Sequence, residues 1–580
     1  MIHPKRKNFF LLILKQYFIF AEIIYNTSLK LISDMKIKFL SVAAIAAALM
    51  LGSCTSQTGN QPQEPQTGCT NPVLWTDIPD LSMIRVGDTY YMTSTTMHMN
   101  PGVPVMKSKD LSNWEIVSYC YDILGNQDET MLLNGKNTYG KGSWASCIRY
   151  VGGKYIVSTF DQVTAKTYFF VTDNIESGKW ERHEFQPSLH DHTVVFEDDG
   201  HVYMINGNGR LTIREIKPDF SGIVEGSEKV LIEDAGLPAG GHEKMMLNGE
   251  GSQMFKINGK YYLFNIVWPR DGMRTVVCHR ADNLFGPYEG KVVLQDKGVA
   301  QGGLVDTPDG RWFAYLFGDR GGVGRIPYWV PVEWKDGWPV IGDANGKVPD
   351  TLALPKSKGL IPGIVDCDDF DGDKLKLVWQ WNHNPVNELW SLSERKGFMR
   401  LKTDRTDTLF TQSRNMLTQR TFGPQCNGSV CLDFSGLNDG DVAGLALLAG
   451  QYGYVGIKKD GGKNYVVVVD NMPDTQDNSW PPKATPAREI ASAAVEGNVV
   501  YLKATCDFAR IPDGSPVESH GKDEAEFFYS TDGTNWTKIG RTFRMVYKLD
   551  HFMGQRYALF YYSTKTAGGH ADFDWYKVSY

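Results

Sequence analysis

A short phrase recurs five times along the chain, each time where two β-strands would meet in a tight turn. Each copy has two turn-forming residues, a polar residue and an apolar pair, and the copies are Gly87–Tyr91, Gly152–Ile156, Asp199–Tyr203, Asn258–Tyr262 and Asp309–Phe313. Gly, Asn and Asp tolerate the positive φ that tight turns require. The β-branched and aromatic residues that follow favour strands, so the phrase predicts five β-hairpins.

The spacing of the copies indicates how the hairpins are arranged. Their fourth residues lie at positions 90, 155, 202, 261 and 312, which gives steps of 65, 47, 59 and 51 residues. Units of about 40–50 residues that each hold several strands are typical of a β-propeller. The sequence therefore predicts five blades. To close the ring, we expect strands near Val73–Trp75 and Trp329–Trp334 to pair.

One position in each repeat suggests a site. About eleven residues before the fourth residue of each phrase stand Asp80, Trp144, Asp191, Glu250 and Gln301. Equivalent positions on the innermost strands of a propeller converge on its axis, so three carboxylates should meet there. Glycoside hydrolysis needs one acid to protonate the leaving oxygen and a second carboxylate to activate water or to attack. A third can tune the acid by charge repulsion.

Changes in composition divide the chain into segments. We expect an upstream extension and lipoprotein signal at 1–54 with the true start at Met35, a flexible tether at 55–70, the propeller at 71–355, a linker at 356–364 and a β-sandwich at 365–580. After the linker the blade phrase stops and short strand-like runs continue. The predicted fold class is all-β, a five-bladed propeller followed by a jelly-roll, concanavalin-like sandwich.

The segment from Met35 to Cys54 has the features of an export signal. A basic start at Met35–Lys38 precedes an apolar stretch at Leu40–Leu51, as in secretory signals. The ending Leu51–Cys54 resembles a bacterial lipobox, which implies lipidation of Cys54. The alternative is an ordinary cysteine after a cleaved signal. We expect an exported lipoprotein on the outer membrane, at the periplasmic or cell-surface face.

Charge and cysteines exclude some functions. The net charge of −7 gives no sign of nucleic-acid binding. The nine cysteines have no metal-site or redox spacing. Cys426 and Cys431 are close enough in sequence for a disulfide to be considered, and the sequence leaves that open.

The acids and their neighbours resemble glycoside hydrolase family 43, the inverting β-xylosidases and α-L-arabinofuranosidases, over residues 71 to about 350. The segments that carry the resemblance are Asn71–Trp75 with Asp77–Ser82, His190–Thr193 with Phe196–Gly200, and Glu250–Gln253 with Lys256–Tyr262. The resemblance implies that Asp80 is the general base, Asp191 the pKa modulator and Glu250 the general acid. It implies no cofactor for the chemistry.

Some positions depart from the family pattern. Leu81 follows the base where the family usually has proline, and Ser146 replaces proline in a pocket-lining motif that retains Trp144. The resemblance implies a sugar platform at Trp144 and a sugar-binding arginine at Arg325, against structural roles for both. Some relatives hold calcium on the axis through a histidine, but Ala300 stands in that segment.

The C-terminal half resembles the concanavalin-like sandwich of many of these xylosidases. Acid-rich segments at Asp368–Asp371 and Asp572–Trp575 lie at its two ends. Antiparallel closure would bring them together, and carboxylate oxygens suit calcium. We therefore consider a structural calcium ion at Asp369 and Asp574, with turn and edge-strand acids as the alternative.

Three functions follow. The first is an exo-acting inverting hydrolase that releases terminal β-D-xylose or α-L-arabinofuranose from oligosaccharides of hemicellulose or pectin. The second is a retaining fructan-type glycosidase with Asp80 as nucleophile. The third is a non-catalytic glycan-binding lipoprotein. The expected partner is an oligosaccharide, with no nucleic acid and with membrane contact only through the lipid anchor.

Overall fold

The structure, a computed structural model, describes residues 67–474, 485–511 and 521–580. The predicted signal and Cys54 lie outside these residues. The described chain is all-β apart from six single-turn 3-10 segments, at Ile175–Ser177, Leu237–Ala239, His242–Lys244, Gly321–Val323, Asn387–Leu389 and Phe410–Gln412. None of the described helices is long and apolar enough to cross a membrane.

Five four-stranded antiparallel sheets form the blades, and within each sheet the strands follow chain order. Blade 1 contains β2 (Ser82–Val86), β3 (Thr89–Thr93), β5 (Gly102–Ser108) and β6 (Glu115–Tyr121). Blade 2 contains β7 (Ser143–Val151), β8 (Lys154–Asp161), β9 (Lys166–Thr172) and β10 (Glu181–Phe185). Blade 3 contains β11 (Thr193–Phe196), β12 (Val202–Asn208), β13 (Arg210–Ile216) and β14 (Lys229–Ile232).

The last two blades are built in the same way. Blade 4 contains β15 (Met245–Ile257), β16 (Lys260–Pro269), β17 (Thr275–Ala281) and β18 (Glu289–Leu294). Blade 5 contains β19 (Ala300–Asp306), β20 (Trp312–Asp319), β21 (Arg325–Lys335) and β22 (Trp338–Ile341). Every copy of the phrase joins the first strand of its blade to the second, as predicted. In blade 4, for example, Asn258 and Gly259 turn with φ of 51° and 77°.

The first strands of the blades surround the axis. β2 contacts β7, β7 contacts β11, β11 contacts β15, β15 contacts β19, and β19 returns to β2. The two ends of the propeller segment meet through β1 (Thr67–Thr70), which pairs with β23 (Thr351–Pro355). The expected pairing of Val73–Trp75 with Trp329–Trp334 is wrong, although the side chain of Asn71 does donate a hydrogen bond to the carbonyl of Trp329, at 2.8 Å.

The predicted tether at 55–70 also needs correction at its end. Thr67–Thr70 form β1, and Cys69 is buried in the propeller core. No local pattern predicts this strand, because Cys69 is its one apolar side chain. What makes it a strand is its partner β23, 281 residues further along the chain if counted from Thr70 to Thr351.

The C-terminal half is a sandwich of two sheets. The first sheet contains β24 (Gln380–Asn382), β27 (Leu417–Arg420), β29 (Asp441–Leu448), β30 (Gly453–Asp460), β31 (Lys463–Asp470), β32 (Arg488–Val495) and β36 (Arg556–Ser563). The second contains β25 (Trp390–Ser391), β26 (Met399–Lys402), β28 (Gln425–Asp433), β33 (Val499–Asp507), β34 (Glu524–Ser530), β35 (Thr537–Arg544) and β37 (His570–Ser579). Along strands such as β33, buried side chains alternate with more exposed ones, and the buried side chains fill the space between the sheets.

Two expectations for the sandwich are tested by these strands. Cys426 and Cys431 lie on β28 five residues apart, so they point to opposite faces and cannot form a disulfide. The ends of the sandwich do meet, since Asp368 and Tyr576 exchange backbone hydrogen bonds. However, Asp369 is exposed, and neither it nor Asp574 belongs to a group of three close acidic, His or Cys ligands in the described chain. The calcium ion expected at Asp369 and Asp574 therefore gains no support from a cluster of such ligands in the described chain and stays a prediction.

Propeller and sandwich share a sheet. β4 (Met99–Asn100), between β3 and β5 of blade 1, pairs with β24 and becomes the last strand of the first sandwich sheet. Next to it lies a cluster of rings, which we call the junction histidine cluster. It consists of the buried His98, His383 and His551 and the half-buried Tyr139. His98 stacks on His551 with ring centroids 5.0 Å apart. The two halves are thus joined by backbone pairing as well as by side chains.

Candidate active site

The five equivalent positions found in the sequence lie on the innermost strands or two residues before them. Asp80 and Asp191 lie two residues before β2 and β11, and Trp144, Glu250 and Gln301 lie on β7, β15 and β19. Asp80, Asp191 and Gln301 have φ of 51°, 49° and 55°. These left-handed conformations are uncommon for residues other than glycine and concentrate at functional sites. The ring of positions that repeat counting predicted therefore exists.

Asp80 is buried and held by three donors. Its Oδ1 accepts hydrogen bonds from Arg325 Nη1 at 2.8 Å and from Gln301 Nε2 at 3.1 Å. Its Oδ2 accepts one from Thr95 Oγ1 at 2.6 Å. These contacts come from three different segments, so they fix the carboxylate although Leu81 stands where the family has proline. Held in this way, the carboxylate can orient a water molecule and accept its proton.

Asp191 and Glu250 meet beside His190. The Nε2 atom of His190 lies 3.6 Å from Asp191 Oδ1 and 3.6 Å from Glu250 Oε2. Each of the three side chains thus offers one nitrogen or oxygen atom within 4.8 Å of the other two. Outside this trio, the described residues contain no comparable group of three His, Cys, Asp or Glu side chains. The backbone ties the two blades together as well, because Ser252 N donates to the carbonyl of Asp191 at 3.3 Å.

The electrostatics of this trio depart from those of free side chains. Burial raises the pKa of Asp191 to about 7, and the charges of Glu250 and Asp80 add to that effect while His190 and Arg325 oppose it. Burial alone would lower the pKa of His190, but its interaction with Glu250 and the charges of Asp191 and Asp80 outweigh burial and raise that pKa to about 9. Perturbed acids in a cleft are a mark of functional sites.

Gln301 links the two sides of the site. It donates to Asp80 and packs against Gly251, the residue after Glu250. Gly251 has φ of 64°, and a Cβ atom there would lie only 2.7 Å from the Gln301 side chain. Glycine is therefore required at this position for Glu250 and Asp80 to face the same space.

Arg325 and Trp144 both lie at the site, as predicted from the sequence. Arg325 is buried, and its Nε and Nη2 atoms have no hydrogen-bond partner among the described residues. The indole Nε1 of Trp144 is likewise buried and unpartnered there. Burial lowers the pKa of Arg325, but the charge of Asp80 and other groups raise it overall, so the guanidinium stays charged. Unpaired buried donors are costly unless a ligand or water meets them.

The sandwich contributes a wall to this site, which the sequence analysis did not anticipate. The loop between β35 and β36, residues 545–555, enters the propeller mouth. Phe552 stacks on Trp144 with ring centroids 5.1 Å apart, and Arg325 Cζ lies 4.4 Å from the Phe552 ring centroid. Tyr547 of the same loop lies 6.1 Å from Phe552, and its buried hydroxyl has no partner among the described residues.

Asp77 anchors that loop. Its Oδ1 accepts a hydrogen bond from Arg325 N at 2.7 Å, and its Oδ2 accepts one from Gly554 N at 3.0 Å. Burial raises the pKa of Asp77. One carboxylate thus connects the segment before the base, the start of β21 and the sandwich loop. Sequence reasoning missed this residue, along with His190, Thr95 and Phe552. For Asp77 and Phe552 the reason is that their partners lie hundreds of residues away along the chain.

The comparisons with known proteins agree with this geometry. Residues 69–339 match the family model described as Glycosyl hydrolases family 43, and residues 367–579 match that of the Beta xylosidase C-terminal Concanavalin A-like domain. The chain is 27% identical to a beta-xylosidase of Formosa agariphila over 90% of this chain and 92% of that protein. It is 32% identical to a putative beta-xylosidase of Xylanibacter ruminicola, over 66% of this chain and 72% of that protein.

Solved structures show the same architecture. A bifunctional GH43-CE protein of Bacteroides eggerthii has 57% sequence identity and a TM-score of 0.83, with 89% of this chain and 64% of that one covered. The chain thus spans about two thirds of that protein's length. An engineered GH43 glycoside hydrolase, described as both an endo-xylanase and an exo-arabinofuranosidase, has 28% identity and a TM-score of 0.77, with 89% and 99% covered. The chain therefore belongs to glycosyl hydrolase family 43 and carries the C-terminal concanavalin-like domain of its beta-xylosidases.

Proposed function

We propose that this enzyme releases the terminal pentose from the non-reducing end of oligosaccharides derived from hemicellulose or pectin, with inversion at the anomeric carbon. The observation that carries the proposal is the meeting of Asp80, Asp191 and Glu250 at the mouth of one propeller. Relatives named beta-xylosidase and non-reducing end alpha-L-arabinofuranosidase support a pentose substrate. Both β-D-xylose and α-L-arabinofuranose remain candidates.

The proposed chemistry uses the three acids in different roles. Glu250 gives its proton to the glycosidic oxygen while the bond from that oxygen to the anomeric carbon breaks. A water molecule attacks the carbon from the opposite face and gives its proton to Asp80. Asp191 stays beside Glu250, where its partial charge favours the protonated acid between turnovers. No cofactor takes part.

The sugar in this proposal lies under Trp144 and Phe552. The unpartnered guanidinium nitrogens of Arg325 face it as hydroxyl donors. Because Phe552 covers Trp144 and Arg325 from the sandwich side, the pocket favours one terminal sugar over the middle of a chain. This supports exo action, and it assigns the sandwich a role in shaping the pocket.

Replacement of Glu250 tests the acid assignment. In Glu250→Gln we expect kcat on xylobiose or an arabino-oligosaccharide to fall by about 10²–10⁴-fold, the usual contribution of general acid catalysis. Aryl pentosides whose leaving group needs no proton should lose much less. Glu243→Gln, which changes an exposed acid near the start of the same blade, is the matched control. Undiminished turnover of the natural disaccharide by Glu250→Gln contradicts the assignment.

The retaining alternative, in which Asp80 would be the nucleophile, predicts the opposite first product. Proton NMR of the anomeric signals during hydrolysis separates the two, because inversion gives α-xylose first from a β-xyloside. The same panel of aryl pentosides tests the binding-protein alternative, which predicts no turnover. Family membership and the full set of acids favour the inverting hydrolase.

We also propose that the enzyme is exported and anchored through a lipid on Cys54. The support is the basic start at Met35–Lys38, the apolar stretch that follows and the lipobox-like Leu51–Cys54. A lipid-anchored enzyme on the outer membrane would meet oligosaccharides outside the cytoplasm.

A further inference from the structure

His190 lies between Glu250, the proposed proton donor, and Asp191, the residue proposed to tune it. Its Nε2 atom is 3.6 Å from both Asp191 Oδ1 and Glu250 Oε2, an ion-pair separation rather than a hydrogen bond. Contacts to catalytic groups are often long in an empty site and shorten when the substrate binds. The histidine is therefore placed to act on both acids together.

The orientation of His190 is fixed by aromatic neighbours. Its ring lies edge-on to Trp144, with centroids 5.6 Å apart, and edge-on to Phe160, at 5.1 Å. Phe160 is fully buried on β8, and Trp144 is itself covered by Phe552. These contacts leave the imidazole little freedom to turn away from the acids.

The contacts on Glu250 are unequal between its two oxygens. Asn208 Nδ2 donates to Oε2 at 3.1 Å, and His190 Nε2 approaches the same oxygen. Oε2 thus faces the Asn208 donor and the His190 nitrogen, which leaves Oε1 as the oxygen that would present the proton in the proposed mechanism. The side chains of blade 3 thereby determine which oxygen of Glu250 presents the proton.

We propose that His190 is a positioning residue for proton donation, which orients the Glu250 carboxyl group through Oε2 and balances the charge that Asp191 and Glu250 bring together. The inference rests on the assignment of Glu250 as the general acid. The charged groups that face His190 are Asp191, Glu250 and Asp80, and the nearest other titratable ring is that of His192. The raised pKa of His190 agrees with this environment.

Two variants separate the parts of this role. His190→Phe keeps a ring against Trp144 and Phe160 but removes the nitrogen, whereas His190→Gln keeps a donor without charge. We expect kcat on a disaccharide with a poor leaving group to fall about tenfold in His190→Phe, less than the roughly 10²–10⁴-fold contributed by a general acid itself, because Glu250 is still present. Activated aryl pentosides should change little, and His190→Gln should recover part of the loss.

The pH profile gives a second readout. Since a neighbouring positive charge favours loss of the acid's proton, removing it should move the basic limb of kcat/KM to higher pH by about one unit in both variants. His201→Phe, which breaks an exposed pair with Glu215 on the surface of blade 3, is the control and should change neither readout. A purely structural histidine would lower the rates on both substrate classes equally and leave the limb in place, and that result overturns the proposal.

Parallel measurements on Glu250→Gln keep the two assignments apart. If Glu250→Gln shows strong leaving-group dependence and His190→Phe shows none, only the inference on His190 fails. If Glu250→Gln itself shows no leaving-group dependence, the acid assignment fails and the inference fails with it. Far-UV circular dichroism and unfolding temperature of each variant establish that the measured protein is folded.

Discussion

Histidines in two regions of this molecule, the partly buried His190 and the buried histidines of the junction cluster, show opposite shifts of their pKa values. At the active site, three carboxylates raise the pKa of His190 to about 9 against the effect of burial. At the junction between propeller and sandwich, burial lowers the pKa of His383 and of His551 to about 3. His98 shifts in the same direction, by burial first and then by its histidine neighbours and Arg556.

The difference teaches that burial decides the charge of a histidine only where no carboxylate faces it. It also gives the two regions opposite dependence on pH. The raised pKa of His190 stabilises the folded state below the pKa of an unfolded histidine, about 6.5. This stabilisation is lost as the pH rises toward 9. The lowered pKa values of the junction contribute stability above about pH 6.5 that is lost as pH falls.

The largest expected effect comes from removing one carboxylate at the active site. In Asp191→Asn, His190 keeps its burial but loses one of the charges that hold its proton, so its pKa should fall from about 9 toward the ordinary value. We expect kcat/KM to fall about 10²-fold, the lower end of acid–base contributions. NMR titration of the histidine ring protons, with His190→Phe to assign the signal, measures the shift. An unchanged midpoint would mean that the carboxylates do not cause it.

A smaller effect is expected at the junction. His98→Phe keeps a ring stacked near His551 but removes a group that is neutral when folded and charged when unfolded in acid. Below about pH 6, the free energy of unfolding of the variant should therefore fall less steeply than that of the wild type, by about 1.4 kcal/mol per pH unit. Urea unfolding at pH 7, 6, 5 and 4 measures this. Parallel slopes for the two proteins would contradict it.

The smallest effect tests whether the two regions are independent. Phe552 follows His551 directly, yet its ring contacts Trp144 and Arg325 at the candidate active site. In Phe552→Ala we expect KM to rise about fivefold, comparable to the loss of one aromatic contact of about 1 kcal/mol, with kcat nearly unchanged. The decrease of the free energy of unfolding between pH 7 and pH 4 should remain that of the wild type. A changed slope would show that pocket and junction respond as one unit.

The blades were predictable because their signal is local. Tight turns such as Asn258–Gly259 and the strands beside them are fixed by neighbouring residues, so the repeat and the three acids could be counted from the sequence. The pairing of β1 with β23 could not be predicted, because β1 has no apolar pattern of its own. In β23 the buried Leu352 and Leu354 alternate with exposed residues, but that pattern does not identify the partner strand. The strand β4 could not be predicted either, because it is only two residues long.

The chemical environment of the site was less predictable than its acids. Phe552 reaches Trp144 from a loop more than 400 residues further along the chain, and no local pattern marks it. His190 adjoins Asp191 in sequence, so its presence near the acid could have been noticed. Its position between two carboxylates depends on where blade 4 places Glu250, and the sequence alone does not predict that.

β4 joins the propeller to the sandwich by backbone pairing, so the two cannot be exchanged as separate modules without breaking a sheet. Met99–Asn100 belong to blade 1 by sequence but to the sandwich by hydrogen bonding with β24. Moving residues 71–355 alone into another protein would remove the last strand of the first sandwich sheet and separate Phe552 from Trp144. A recombination event between propeller and sandwich would therefore damage a sheet and the candidate active site at the same time.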